Sequence, residues 1–538
     1  MSKFSVTYSS IGVRGRFSWP SKRFKCFVRE ASTKTSTKTG EKGKKGLVIG
    51  VYTDENGRYS LTKFGSSFNS TVNGKIMELI EGSKIKLGKC LVFNGLDEFY
   101  GVAVSGLGKQ DIPDDDYEFL NRCKENIRIA SSVGSKALQN QTVENIVVDQ
   151  MSNAEAAAEG AILGLWTFQE FRNNEDREIE PKVHLYDASN ADSGSWINGV
   201  VKAQAQNIAR RLADLPSNIL TPYKFAEATM DYLCPCGITV VIRDRYWIEK
   251  QRMYAFLTMA QGSCEPPYFV EMAYCGGSPD DKPIVLAGMG LTFDSGGLCL
   301  KPCDGMPEFR GNCVGAAVVV GVMKAIAQYK LPINVIGLLP LMENMIGGLA
   351  VKPGDIVLAK NERTIRVEDP NNAGRVVMAD TVVYADQFKP CLVNSIGSFT
   401  LGIRKCLGSS STPVYTTSQE MWDEMKKAGT DTGDRVWRFP LWEHYNHRNT
   451  LYPGVDYHNV GYQGHSRGGD SALAAAFVRA FAPKNADFVH MDITGTALIT
   501  SGKTTPYYRR GYMTGRPTRT IIQFLKQLAN PGSKPSTC

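Results

Sequence analysis

The sequence predicts an α/β protein with two domains: a smaller N-terminal α/β domain and a larger C-terminal domain in which a mainly parallel sheet is sandwiched by helices. Two observations support this prediction. A chain of 538 residues is too long for one ordinary hydrophobic core, because cores stop growing beyond roughly 250–300 residues. Short apolar runs also alternate with helical patterns along most of the chain, which is typical of α/β folds.

The first domain is predicted to span residues 46–195. Three apolar runs have the length of buried strands, and one longer segment has the pattern of a helix. The strand runs are 47–52, 90–95 and 145–149, and the helical segment is 153–171. A stretch rich in Asp, Ser and Asn at 186–196 marks the end of this domain, and a helix is predicted to begin near Ile197.

The second domain is predicted to span residues 196–538. Its apolar runs alternate with helical patterns and lie at 238–242, 283–288, 333–341 and 391–396. Runs without polar alternation indicate strands buried on both faces, as in parallel sheets covered by helices. Because sites in such folds lie at the carboxyl ends of strands, we expect a site beyond residue 288 and before the helix near Val376.

The positive charge of the chain is concentrated at its start. The net charge is +8, but residues 1–45 contain twelve Lys or Arg and two Glu, so the remainder carries a net charge of −2. A nearly neutral body argues against a nucleic-acid partner. Residues 1–45 are predicted to be a mitochondrial presequence followed by a disordered linker, and a basic arm on a cytosolic protein is the alternative.

Cysteine usage and hydropathy narrow the class of protein further. The 13 Cys have no regular spacing, which favours a reducing compartment over a disulfide framework. The sequence contains no run of roughly 18 apolar residues, so no membrane span is predicted.

Seven separated segments resemble the leucine aminopeptidase (cytosol aminopeptidase) family and occur in the family's order. They are 205–227, 288–302, 331–348, 352–357, 431–441, 490–495 and 511–525. The resemblance implies a zinc aminopeptidase-like fold, hexameric assembly and a metalloexopeptidase site with two divalent ions, zinc or manganese. Within the family, the chain most resembles sperm-associated, mitochondrial leucyl aminopeptidase-like proteins with degenerate metal sites.

The chemistry that this resemblance implies needs a strongly anionic site. Two divalent ions a few ångströms apart polarise the scissile carbonyl and activate a bridging water. In the family, three Asp and one Glu hold the ions, and a Lys amine is an additional ligand. A second Lys stabilises the oxyanion, and an Arg holds a bicarbonate that shuttles the proton.

Most of the ligand positions carry other residues in this chain. The ligand Asp294 is retained, and so are the residues that match the oxyanion lysine, Lys301, and the bicarbonate arginine, Arg375. The replaced ligand positions are Met289 for the Lys, Asn312 and Asn371 for two Asp, and Ala373 for the Glu. The segment 395–402, which corresponds to a substrate-binding segment, also departs from the family pattern.

These replacements predict that no stable two-metal centre forms and that no metal cofactor is bound. The formal charge of the ligand set falls from −4 to −1. Two nearby dications facing one carboxylate would repel each other strongly, and amide oxygens are weaker ligands than carboxylates. Without metals, Asp294, Lys301 and Arg375 could pair with one another as structural ion pairs.

Other metal arrangements stay open at this point. Nearby carboxylates could hold a relocated ion, although Pro370 is expected to direct the two that precede Asn371 elsewhere. These carboxylates are Asp304, Glu308, Glu368 and Asp369. A thiolate site is the second arrangement, but the spacing of Cys299, Cys303 and Cys313 favours small buried side chains. The histidines at 444, 447, 458 and 465 lack metal-helix spacing and are expected at surface or packing positions.

The leading hypothesis is an aminopeptidase homologue with two-metal catalysis lost or much weakened, acting as a structural or assembly protein, in sperm mitochondria by the resemblance. We expect a homo-hexamer or a hetero-oligomer with paralogues, located in the mitochondrial matrix or otherwise in the cytoplasm. The alternative is an active metalloaminopeptidase with an altered metal site that releases N-terminal residues of the Leu type from peptides. A nucleic-acid-binding role is the third and weakest hypothesis.

Overall fold

The chain forms two large β-sheets, one in each α/β domain. The structure is a computed structural model that describes residues 43–461, 468–500 and 505–531. Almost all of the predicted presequence and linker, residues 1–42, lies outside the described residues, and the first strand begins at Lys45.

The smaller sheet has six strands and is partly parallel. In chain order they are β1 (Lys45–Thr53), β2 (Tyr59–Leu61), β3 (Cys90–Leu96), β4 (Phe99–Gly108), β5 (Asn145–Val148) and β6 (Lys182–Leu185). Strands β4, β1, β5 and β6 are parallel neighbours, whereas β3 pairs antiparallel with β4, and β2 with β1. The run at 90–95 was expected to be a buried strand, but β3 is a half-exposed edge strand because only β4 pairs with it.

Four helices accompany this sheet: α1 (Lys63–Thr71), α2 (Lys75–Ile80), α3 (Arg122–Asn140) and α4 (Ala154–Leu165). Side chains of Thr62, Asn121 and Asn153 accept backbone N–H groups and cap α1, α3 and α4. The helix predicted over 153–171 ends at Leu165, because Trp166 adopts an extended conformation.

The larger sheet has nine strands with a parallel centre. They are β7 (Thr239–Arg243), β8 (Tyr268–Cys275), β9 (Ile284–Gly288), β10 (Gly290–Asp294), β11 (Asn334–Asn344), β14 (Leu392–Gly397), β15 (Thr412–Thr416), β16 (Val436–Arg438) and β18 (Asp487–Asp492). A separate small sheet contains β12 (Asp355–Leu358), β13 (Thr364–Val367) and β17 (Tyr457–His458). Strands β18, β14, β9, β11 and β10 are joined by parallel pairings, but β15, β8 and β7 pair antiparallel with their inner neighbours. The predicted α/β fold is confirmed, with a mixed sheet whose parallel part lies at its centre.

Helices cover both faces of the larger sheet. They are α5 (Ser193–Asp214), α6 (Pro222–Leu233), α7 (Arg245–Lys250), α8 (Tyr254–Met259), α9 (Val314–Tyr329), α10 (Ala373–Ala385), α11 (Leu401–Leu407), α12 (Gln419–Thr432), α13 (Glu443–Asn449), α14 (Asp470–Phe481), α15 (Thr494–Ala497) and α16 (Thr518–Ala529). Along β9, Ile284 and Leu286 join the core formed with α5, α6, α9 and α16, while Val285 and Ala287 join the opposite core formed with α8, α10 and α14. The alternation places one apolar layer on each side of the sheet.

Among the described residues, one helical segment is long and apolar enough to cross a membrane. It comprises Met306–Tyr329, a 3-10 turn followed by α9, and 89% of its apolar window is buried inside the fold. Because a buried core helix meets the same criteria, this segment is weak evidence for a membrane span.

Helix α5 connects the two domains. It begins at Ser193, capped by Asp192, a few residues before the predicted start near Ile197, and it packs against α4 on one side and α9 on the other. Beside it lies a buried ion network. Arg519 contacts Glu159 of α4 at 2.7 Å and Asp434 at 3.3 Å, and Arg128 of α3 contacts Glu159 at 2.6 Å. Charges from both domains therefore compensate one another away from water.

Candidate functional site

The candidate site lies where two parallel strands of the larger sheet end. Asp294 is the last residue of β10 and pairs in register with Asn344, the last residue of β11. The chain then turns sharply through Gly296, whose φ of 91° favours glycine, and the backbone N–H of Lys301 bonds to the Ser295 carbonyl at 2.8 Å. This turn brings Lys301 back beside Asp294. The site therefore lies at the carboxyl ends of parallel strands, where sites in such sheets are expected.

The Asp294 carboxylate is surrounded by donors from the protein. Its Oδ1 accepts from the Gly296 backbone N–H at 2.9 Å and from Asn344 Nδ2 at 2.8 Å. Its Oδ2 accepts from Asn312 Nδ2 at 2.9 Å and lies 3.0 Å from Lys301 Nζ. Four donors match the acceptor capacity of a carboxylate, so the polar contacts of this buried side chain are saturated.

The Lys301 ammonium lies between Asp294 and a second loop. Besides Asp294, it donates a hydrogen bond to Asn371 Oδ1 and lies 4.5 Å from the centre of the Phe309 ring. The residue is 6% exposed. A structural ion pair between Lys301 and Asp294, expected from the sequence, is thus present.

The two asparagines at the predicted ligand positions belong to separate segments. Asn312 lies in the 3-10 turn before α9, and its Oδ1 accepts a hydrogen bond from Ser398. Asn371 lies in the 3-10 turn 370–372, where its backbone N–H bonds to Asp369 Oδ1 at 2.9 Å. Both amide oxygens therefore accept from protein donors.

Met289 and Ala373, the first residue of α10, lie in the apolar core between the larger sheet and α10, with no exposed surface. The Met289 sulfur occupies the space beside Gly374, and a Cβ on Gly397 would lie 2.7 Å from the Met289 Cβ. The methionine is a packing residue that fills the contact between β9, β14 and α10.

Arg375 is buried in α10 but does not join this cluster. It donates to the backbone carbonyls of Asn459 at 3.0 Å and Asp470 at 3.4 Å. Burial lowers the pKa of its guanidinium to about 10, against the opposing effect of nearby carboxylates. The expectation that all three retained residues pair together is therefore correct for Asp294 and Lys301 and wrong for Arg375, which α10 holds toward other segments.

Comparison with known proteins identifies the family. Residues 207–522 match the catalytic domain of the cytosol aminopeptidase family, and residues 48–175 match its N-terminal domain. The chain belongs to the cytosol aminopeptidase family. It is 41% identical over 496 residues to the cytosol aminopeptidase of Xenopus tropicalis, covering 90% of this chain and 93% of that protein. Identity to the Homo sapiens cytosol aminopeptidase is 39% over 491 residues, covering 89% and 92%.

Solved structures agree with this assignment. The bottromycin maturation enzyme BotP in complex with Mn is 26% identical, with a TM-score of 0.76 and coverage of 90% of this chain and 100% of that chain. A mutant of tomato leucine aminopeptidase is 22% identical, with a TM-score of 0.74 and coverage of 90% and 94%, and supports the fold alone.

The residues at the predicted metal-ligand positions do not fit two divalent ions. Asp294 is the one carboxylate of this cluster, and Lys301 adds an ammonium. Of the three amides, Asn312 and Asn371 have engaged oxygens, and Asn344 directs its N–H group to Asp294. A dication would have to approach a positive charge and displace hydrogen bonds to reach Asp294. Within the described ranges, no group of three or more His, Cys, Asp or Glu is arranged to hold a metal ion.

The carboxylates considered for a relocated ion are engaged elsewhere or exposed. Glu368 lies 3.0 Å from His458 Nδ1 and 3.1 Å from Arg366 Nε. Asp369 caps the turn 370–372 by accepting from the Asn371 backbone N–H, and it also accepts from Asn372 Nδ2 at 2.8 Å. The remaining two are Glu308, which pairs with Arg404 at 2.9 Å, and Asp304, which is exposed.

The cysteine expectation is only partly correct, whereas the surface or packing positions expected for the histidines are found for the three that the structure describes. Cys313 is buried and Cys299 is half-buried, but Cys303 is exposed because the loop after Lys301 runs over the surface. His444 and His447 are exposed and His458 is buried, whereas His465 lies outside the described residues. None of these observations supports a metal-binding role in the described part of the chain.

Sequence reasoning missed two residues of the site, Asn344 and Ser398. Asn344 donates to Asp294 and also to the Pro370 carbonyl at 3.0 Å, so it links a strand end to the loop that carries Asn371. Asn344 could have been identified from the sequence, because it lies at the end of an apolar run that forms a strand parallel to β10. Ser398 is joined to Asn312 through the tertiary fold, and no sequence spacing reveals that contact.

Proposed function

We propose that this member of the cytosol aminopeptidase family does not hydrolyse peptides and acts as a structural, assembly-forming protein. The observation that carries this proposal is the saturation of Asp294 by four donors of the protein. Asp294 is the one carboxylate among the family's ligand positions that remains in this chain, and here it accepts an ammonium and two amides.

Both parts of the family's chemistry are affected by this arrangement. Activation of a water nucleophile requires ions held by several carboxylates, and that set is reduced to Asp294. Oxyanion stabilisation requires a donor aimed at the developing charge. The Lys301 ammonium instead directs its hydrogen bonds to Asp294 and Asn371.

The assembly role is supported by the domains and the hydrophobic cores that the chain retains. Both family domains are present, and an apolar core lies on each side of the larger sheet, although Asp294 is the one carboxylate retained among the expected ligands. A fold maintained without the chemistry is consistent with selection on shape and surface. We propose a homo-hexamer, or a hetero-oligomer with paralogues, following the family resemblance.

One preparation of the full-length protein tests this proposal. Metal content, oligomeric mass and hydrolysis of leucyl-p-nitroanilide with added Mn²⁺ or Zn²⁺ are measured on the same sample. We expect a hexamer, substoichiometric metal, and hydrolysis no faster than that of Asp294→Ala. Hydrolysis that requires both Asp294 and Lys301, together with two bound ions per chain, would overturn the loss of catalysis, and a monomer would overturn the assembly role.

The alternative function is a weak aminopeptidase of the Leu-releasing type with an altered metal site. Retention of Asp294, Lys301 and Arg375 favours it, because these residues match three functional positions of the family. Turnover that is abolished by Asp294→Ala and Lys301→Ala would establish this alternative, whereas a contaminating protease would be indifferent to both substitutions.

A mitochondrial location is proposed from the composition of residues 1–45, and sperm mitochondria from the family resemblance. Residues 1–45 account for all of the net positive charge of the chain and contain few acidic residues, as import presequences do. Fusion of these residues to a fluorescent protein tests the location. Mitochondrial fluorescence is expected, and a uniformly cytosolic signal would contradict the proposal.

A further inference from the structure

We propose that the Lys301 ammonium acts as a built-in cation that holds the loops of this site together, in the place where the family uses metal ions. This inference deepens the proposed function and rests on it. Its test measures stability and the binding of small amines, so it can fail independently of any measurement of hydrolysis.

The ammonium connects three separate segments. Asp294 ends β10, Asn371 lies in the 3-10 turn before α10, and Phe309 lies in the 3-10 turn before α9. The cation meets a carboxylate, an amide oxygen and an aromatic face. Each of these groups is a favourable partner for a desolvated cation.

The surrounding amides are oriented to complete this arrangement. Asn312 and Asn344 both direct their N–H groups to Asp294, so they support its negative charge and do not present oxygens toward it. The Asn312 oxygen is turned to Ser398. The cluster is thus neutral as a whole, with one buried negative charge and one buried positive charge.

Because both side chains are buried, each charge depends on the other for its stabilisation. Asp294 is 3% exposed and Lys301 is 6% exposed, so neither charge is well solvated when its partner is absent. Removal of the ammonium alone leaves a buried carboxylate without its cation, whereas removal of both charges leaves a neutral amide network. These two cases distinguish a cation that stabilises the site from a lysine that is only tolerated there.

The first experiment removes the ammonium and supplies it again from solution. Lys301→Ala shortens the side chain and opens a cavity beside Asp294, while Lys301→Met keeps the aliphatic stem without the charge. Both variants are expected to unfold at a midpoint lower by roughly 5 °C or more. Methylammonium chloride should restore part of the midpoint of Lys301→Ala and leave Lys301→Met and the unsubstituted protein unchanged.

Sodium chloride and tetramethylammonium chloride at the same ionic strength are the controls, because neither supplies a compact hydrogen-bond donor. Equal recovery with all three salts would overturn the inference, and so would a Lys301→Met protein as stable as the unsubstituted one.

A second measurement keeps the inference testable if Lys301→Ala does not fold. Asp294→Asn and Lys301→Met are made singly and together, since the pair removes both charges with little change of volume. We expect the double variant to be more stable than the sum of the single losses predicts. Additive losses would overturn the inference and leave the proposed function standing, whereas efficient hydrolysis by the unsubstituted protein would overturn the proposed function even with a coupled pair.

Discussion

Arg519 of α16 donates a hydrogen bond at 2.7 Å to Glu159 of α4, a residue 360 positions earlier in the chain. Neither side chain is more than 1% exposed. Arg128 shares the same carboxylate oxygen, and Asp434 balances Arg519 on its other side. This relationship makes the C-terminal helix an electrostatic partner of the N-terminal domain.

The first prediction concerns this pair. Arg519→Met is expected to lower the free energy of unfolding by about 3–5 kcal/mol, because it removes one of the two arginines that compensate each of the buried carboxylates Glu159 and Asp434. Burial opposes ionisation of Glu159, but Arg128 and Arg519 lower its pKa to about 2, so its charge persists. Lys427→Met is the matched control, since that lysine forms a partly exposed pair with Glu424. Lys427→Met should lower the free energy of unfolding, measured with denaturant, by less than about 1 kcal/mol. Equal losses in the two variants would contradict the prediction.

The second prediction concerns acid sensitivity. Burial, and to a smaller extent Arg375, lowers the pKa of His490 to about 3, whereas an unfolded histidine titrates near 6.5. Between these values the unfolded chain binds the additional proton, so the stability contributed by neutral His490 is complete above pH 6.5 and is lost as the pH falls. The loss should approach about 1.4 kcal/mol per pH unit.

Unfolding of the natural protein and of His490→Gln at several pH values between 6.5 and 4.5 measures this contribution. The variant should be less stable at neutral pH because the close-packed site is disturbed, but its stability should fall less steeply with acid. Parallel pH profiles would show that His490 is not the responsible group.

The third prediction introduces the carboxylates that the family resemblance implies. Asn312→Asp, Asn371→Asp and Ala373→Glu are combined, which places three carboxylates at the predicted ligand positions. We expect this variant to bind about two divalent ions per chain, because the added negative charge compensates the ions and competes for Lys301. Metal analysis after dialysis against Zn²⁺ or Mn²⁺ checks it. The same variant with Asp294→Ala should bind fewer ions, and identical binding by both would mean that the ions lie elsewhere.

The fourth prediction tests the packing role of Met289. Met289→Ala should lower the free energy of unfolding by about 2–5 kcal/mol, because it opens a cavity between the sheet and α10. Met289→Leu, which keeps the volume, should cost less than about 1.5 kcal/mol. Equal effects of both substitutions would indicate that the thioether contributes something other than volume.

The sequence predicted the parts of the molecule that depend on local pattern. The apolar runs at 283–288, 333–341 and 391–396 correspond to the central strands β9, β11 and β14. The ligand replacements inferred from the family resemblance remain a prediction. The edge strands were predicted less well, because a run such as 90–95 has the composition of a buried strand whether or not a second strand covers it.

The contacts within the site could not be predicted in the same way. Lys301 and Asn371 are 70 residues apart, and their hydrogen bond depends on how two loops meet after the sheet has formed. Arg375 was expected near Asp294 because both are family site residues. The structure shows that its guanidinium reaches the backbone near residues 459 and 470, a direction set by its position on α10.

The shared ion network can be completed only late in the synthesis of the chain. Arg128 and Glu159 emerge from the ribosome long before Arg519, which is within the last 20 residues of the chain. Until α16 is made, the N-terminal domain cannot enclose these charges with their full set of partners. A chain without α16 therefore lacks one of the two arginines that compensate Glu159 in the first domain, and one of the two that compensate Asp434 in the second.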